Sequence, residues 1–151
     1  ELLVVGMNLY LSPQGFRSYS TSARYLRRII ARLWEKGPVA AGVTFGALIG
    51  NTSEVNPQYY VNQMKKPYPP PGDMVVVSVQ SETPAELAGL MKGDVVVGAR
   101  YSDGAEISFS SAEELLAEIF LRAAGETISF YVIRDGEPHT VAVTLGVEKN
   151  E

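Results

Sequence analysis

Residues Glu82 to Val97, reading E-T-P-A-E-L-A-G-L-M-K-G-D-V-V-V, confine this stretch to a short helix that feeds an apolar strand. Thr83 suits the cap of the first turn. Pro84 suits the first helical position, where no backbone donor is needed, and Glu86 stands three residues on as the reciprocal capping carboxylate. Ala85, Leu87, Ala88 and Leu90 form the stripe expected to bury the helix. Gly89 and Gly93 allow tight turns, and Asp94 leads into the strand. Further along come Ser110-Ser111-Ala112-Glu113-Glu114-Leu115-Leu116, then Thr127 to Arg134, Asp135-Gly136 and Thr140 to Leu145.

The first segment resembles the S-P-A-E-x-A-G-L-x-x-G-D-V-I signature of PDZ domains, most closely those of the HtrA (high-temperature-requirement) serine proteases. Thr83 stands where that family has serine, and Val96 where it has isoleucine. In that family a hairpin, a helix introduced by S-S-A-E-E-L, a strand, an R-D-G turn and a last strand follow, and the segments from Ser110 to Leu145 keep that order. The resemblance therefore covers residues 74–147 and implies a helix from about Ser111 and strands at Thr127 to Arg134 and Thr140 to Leu145. It implies an α+β PDZ fold: a small, partly open β-barrel or sandwich with two helices, in the circularly permuted topology of the protease-type domains. Residues 38–151 would form this domain, with an insertion at about 51–73, and residues 1–37 would be the last strand and helix of a trypsin-like protease domain.

That assignment of the N-terminal part rests on Leu3-Val4-Val5-Gly6-Met7-Asn8, which resembles the family's E-V-I-G-I-N-T strand, while Phe16-Arg17-Ser18-Tyr19-Ser20 replaces its G-F-A-I-P. By composition alone, residues 1–11 are rich in β-favouring types and read as one strand. After a turn at Ser12-Pro13-Gln14-Gly15, Ser20 or Ser22 can cap a helix whose Leu26, Ile29, Ile30 and Leu33 recur at helical spacing; Gly37 and Pro38 stop it. The abrupt apolar start at Glu1-Leu2-Leu3 suggests a chain cut inside a strand, just after the place where the family keeps its nucleophilic serine.

Charge and composition narrow the chemistry. With 13 basic and 17 acidic side chains the net charge is −4, which speaks against a nucleic-acid partner. The basic run from Arg17 to Lys36 reads as a solvated or interdomain helix face. Cysteine is absent, so disulfides and thiolate sites are excluded. The apolar runs, such as Met74 to Val79, are too short for a membrane-spanning helix.

A serine-protease mechanism needs an imidazole beside the nucleophile and an acid to orient it. His139 is the only histidine and sits beside Pro138 in an expected hairpin, so this chain alone supplies no complete triad and no multi-histidine metal site. Glu113, Glu114 and Glu118 read as the solvent side of an amphipathic helix rather than as an acid and base pair. No cofactor is expected, since the glycines lack a nucleotide-binding spacing.

Binding remains. The resemblance places a loop that receives a peptide's terminal carboxylate at Thr44, Phe45 and Gly46, where the family has G-Y-L-G-V, and a peptide-pairing edge strand at Ala47, Leu48 and Ile49. Gly42 precedes the aromatic position by one residue more than in the family, so the register stays open. The hydrophobic pocket is assigned to Leu48 with Leu115, Leu116, Ile119 and Phe120. Periodicity leaves open whether Leu115 with Ile119 or Leu116 with Phe120 faces the ligand. In the insertion, residues 56–65 are expected to form a short helix after Pro57, and Tyr59, Tyr60, Met64 and Tyr68 to close one end of the sheet rather than to overhang the groove.

The resemblance therefore implies a module that binds hydrophobic C-termini or extended segments of substrate proteins, for protein quality control. Its implied partners are those peptides and an upstream serine endopeptidase domain, with a homo-oligomer formed through the parent protein and a cell-envelope or periplasmic location. The alternative is a stand-alone PDZ scaffold with no protease activity.

Overall fold

The computed structural model describes residues 6–11, 18–22, 27, 30, 31, 34, 43–107 and 109–147. The chain divides into two compact units, Glu1–Ala40 and Ala41–Glu151. In the first, β1 (Gly6–Leu11) pairs antiparallel with β2 (Ser18–Ser22) through a register shift between Asn8 and Tyr10. The strand at 18–22 takes in both serines expected to cap a helix. Arg27, Ile30, Ala31 and Trp34 are helical and exposed, Ile30 of the expected apolar stripe included. Leu26, Ile29 and Leu33 of the expected stripe lie outside the described residues, as do residues 1–5.

The second unit is built on a five-stranded antiparallel sheet whose strands lie in sequence order: β4 (Ala47–Asn51), β5 (Met74–Val79), β6 (Val95–Tyr101), β7 (Thr127–Arg134) and β8 (Glu137–Thr144). The sheet is open and does not close into a barrel. A separate ribbon joins β3 (Val43–Thr44) to β9 (Gly146–Val147). The helices are α1 (Pro57–Met64), α2 (Pro84–Leu87) and α3 (Ala112–Phe120).

Strict alternation makes β7 the centre of the core. Ile128, Phe130 and Val132 are buried on one face and meet Val141, Val143 and Leu145 of the neighbouring segment. The register is fixed by Arg134 pairing with Glu137, which leaves a two-residue turn. Asp135 and Gly136 both take positive φ there, 53° and 87°, the conformation that matches the twist of a hairpin. On the opposite face of β5, Val75 packs with Tyr60 and Met64 of α1, with Val55 and Val77 alongside. The insertion thus shields the back of the sheet. Tyr60 is buried, whereas Tyr59 and Tyr68 are partly exposed. Lys66 pairs with Asp135 and ties the insertion to the β7–β8 turn.

One turn is all that α2 makes. Ala85 and Leu90 are buried, but Leu87 is 81% exposed, because two residues of helix rotate it to the side opposite Ala85. The strand after it begins at a buried ion pair. Asp94, 1% exposed, accepts from Arg134 Nε and Nη2, each at 2.7 Å, and its Oδ2 also accepts from the Met91 amide at 2.9 Å. Arg134 Nη2 donates in addition to the Gly89 carbonyl at 2.8 Å, so this one pair ties the turn after α2 to the end of β7. Removing one partner of such a pair strands a desolvated charge. Asp94→Ala is expected to lower the unfolding free energy by about 3–5 kcal/mol. Urea denaturation checks this, and a loss below about 1 kcal/mol would show that the pair does not hold the turn.

Candidate functional site

The terminal strand β4 is hydrogen-bonded to β5 on one side only, and α3 packs beside it. The segment before β4 is pinned by its carbonyls. Phe45 O accepts from the Ala85 amide at 3.0 Å, and Gly46 O accepts from the Gln80 amide at 2.8 Å. A trans peptide unit directs its N–H opposite to its C=O. The Gly46 amide therefore points away from α2, and the Ala47 amide points away from Gln80 and β5, toward the unpaired edge. Among the described residues the Gly46 amide has no protein acceptor.

Thr83 holds this geometry from behind. It occupies the N-cap position of α2 with extended backbone, but its side chain makes no capping bond. Its hydroxyl instead donates to the Gln80 carbonyl at 2.6 Å, with the Gly46 carbonyl 3.4 Å away. The carboxylate of Glu86 accepts from the amide of Glu82 at 2.7 Å, one residue earlier than the reciprocal cap expected from sequence. Gly46 has φ of 86°, and a Cβ placed there would lie 2.1 Å from both Cβ and Oγ1 of Thr83. Only glycine fits against that threonine.

The other residues assigned from sequence take the following places. Thr44 is half-buried and pairs with Gly146. Phe45 is buried with its ring centroid 5.5 Å from that of Phe130, so its side chain belongs to the core. Ala47 is half-buried against the core and Ile49 is buried in it, while Leu48 is 54% exposed and outside the core cluster. Leu115 and Ile119 are fully buried in the core. Leu116 is half-buried against it, and Phe120, one turn further along the same row, is 57% exposed. The accessible apolar row of α3 is therefore Leu116 with Phe120.

Sequence reasoning missed Asn51. At the far end of β4 its side-chain oxygen accepts from the Ala112 amide at 2.8 Å, and its nitrogen donates to both oxygens of Glu113 at 3.1 Å. Burial pushes the Glu113 carboxyl up, but hydrogen bonds from its own amide, Asn51 and Ser111 outweigh it and hold the pKa below the usual carboxylate value. The partners are 61 and 62 residues apart, and nothing local in the sequence signals the contact. Glu118, expected on the solvent side, is 2% exposed and accepts from the Tyr101 hydroxyl at 2.8 Å, with the Arg122 guanidinium over the Tyr101 ring. The helix thus buries a carboxylate that a polar neighbour satisfies. His139 is exposed on β8, and among the described residues no group of three metal-binding side chains is found.

A family profile described as the PDZ domain matches residues 47–145. The chain belongs to the PDZ-domain family. This PDZ domain is 32% identical over 84 residues to the serine protease Do-like HtrA of Lactococcus lactis subsp. lactis (strain IL1403), covering 56% of the chain and 19% of that protein. Two solved structures show the same fold. An HtrA-type protease AlgW with decapeptide gives a TM-score of 0.56 at 20% identity, over 98% of this chain and 43% of that one. An HtrA-type protease AlgW with tripeptide gives 0.55 at 20% identity, over 98% and 46%. The chain thus spans about a fifth of the curated relative and less than half of each solved chain. HtrA-type homology and the PDZ fold agree with the resemblance seen in the signature.

The hydroxyl of Thr83 makes a prediction separable from helix capping. Thr83→Val keeps the shape but leaves the Gln80 carbonyl without its donor, and is expected to cost about 1–3 kcal/mol, whereas Thr83→Ser stays near wild type. Denaturant midpoints for the two variants decide the matter, and equal midpoints would show that the hydroxyl is idle.

Proposed function

We propose that β4 takes an extended peptide as an added strand and that the amides of Gly46 and Ala47 receive its terminal carboxylate. The pinned Phe45 and Gly46 carbonyls carry this reading, because they aim two successive N–H groups at the unpaired edge without any rearrangement on binding. An ionised carboxylate gains more from such donors than a neutral amide does. Apolar surface is available on the helix that packs against this strand, where Leu116 is half-buried and Phe120 exposed, so a hydrophobic last residue suits the site. Leu115 and Ile119, deeper in the core, set the position of that wall, and Leu48 faces the ligand's outer side.

The relatives supply the wider setting. One is a serine protease and others are HtrA-type proteases solved with peptides. By homology, this module presents C-terminal or extended segments of substrate proteins to a serine endopeptidase domain of the parent protein, in protein quality control. Residues 1–37 then derive from the end of a trypsin-like barrel, and the strand order of residues 38–151 is the permuted arrangement of protease-type PDZ domains. A homo-oligomeric parent in the cell envelope accords with the same homology.

Fluorescent peptides with an apolar last residue, made as free acids and as C-terminal amides, test the carboxylate site. The free acid should bind at least about tenfold more tightly, the worth of one charge-assisted hydrogen bond. Equal binding of the two forms would overturn the assignment.

A further inference from the structure

The groove beside β4 has a built end. Asn51 lies two residues beyond buried Ile49, on the same face of the strand, and its hydrogen bond to the Ala112 amide brings the start of α3 within one side chain of the end of β4. At the other end of the helix Phe120 stands exposed. A strand added along β4 therefore has room for about four residues, at roughly 3.4 Å each, before it meets the Asn51–Glu113 bridge. Glu113 is held there by a neutral amide, and among the described residues it has no ion pair. Its donors, Asn51, Ser111 and its own amide, are all neutral, so a net negative charge is held at the end of the strand.

We infer that Glu113 is a specificity-determining residue of the peptide groove, favouring a cationic side chain at the fourth or fifth residue from the ligand's carboxyl end. The inference rests on the peptide-binding reading above. The last residue lies beside Ala47, each earlier residue moves one step toward Asn51, and the fourth and fifth arrive at Gly50 and Asn51. A lysine or arginine there reaches the carboxylate, while an acidic residue is repelled. Being at the rim, the effect belongs to selectivity and depends on salt. The Asn51 amide does the positioning: it keeps the Glu113 carboxylate at the strand end rather than free in solvent.

The test uses free-acid hexapeptides with the same apolar last three residues and with lysine, glutamine or glutamate at both the fourth and fifth positions from the end. Wild type should rank them lysine, glutamine, glutamate, with about three- to tenfold between the extremes at low salt. Glu113→Gln keeps an acceptor for Asn51 and should collapse the order. Glu137→Gln, a charge change in the exposed β7–β8 hairpin, should leave the order intact. If the free acids bind but show no charge order, or if Glu113→Gln preserves it, the inference fails and the carboxylate site stands. If none of the free acids binds better than its amide, both fail.

Discussion

The candidate site depends on two hydrogen bonds that do not touch a ligand. The Ala85 amide holds the Phe45 carbonyl and the Gln80 amide holds the Gly46 carbonyl, so peptide planarity alone decides where the next two N–H groups point. Donors fixed in this way need no reorganisation when an anion arrives, which makes them stronger than mobile loop amides. The anchoring groups come from the segment between β5 and α2 and from α2 itself. The start of the short signature helix therefore works as the back wall of the loop.

That arrangement gives the signature a physical meaning different from its local one. Thr83 and Glu86 look like a capping pair, yet the threonine hydroxyl reaches the carbonyl of Gln80 and its carbon atoms close the space in which Gly46 must be glycine. Asp94, at the end of the same signature, is buried against Arg134 at the end of β7. A buried pair of this kind adds little net stability over an apolar replacement, but it fixes which turn meets which strand. Both ends of the signature are thus tied to distant elements, one to the loop before the edge strand and one to the central strand of the core.

Much of the fold was legible because its patterns are local. The family's order of elements with the Asp135-Gly136 turn gave β7 and its hairpin, and Pro57 marked the start of α1. The resemblance implied a partly open barrel or sandwich with an edge strand at Ala47 to Ile49; the sheet is open with that strand at its end, and no barrel closes. At the site, the loop at Thr44 to Gly46 was assigned by resemblance to the family's G-Y-L-G-V. Periodicity could not separate Leu115 and Ile119 from Leu116 and Phe120, because all four are apolar, and only their burial distinguishes the rows. Asn51 escaped notice because a polar residue at a strand end has no marker of its own, and its partners come from a helix more than sixty residues away. Leu87 and Glu118 show the reverse error: side chains were placed by type, but one turn of helix exposed the leucine and Tyr101 made burial of the carboxylate tolerable.

The most direct test of this account is the backbone amide spectrum of the 15N-labelled chain during titration with a free-acid peptide ending in an apolar residue. The account predicts that the Gly46 and Ala47 amides move the furthest, downfield, as they take up a charged acceptor, with smaller changes along Leu48 to Asn51. Shifts that leave Gly46 and Ala47 unmoved and gather instead at the insertion, around Tyr68 to Asp73, would contradict it.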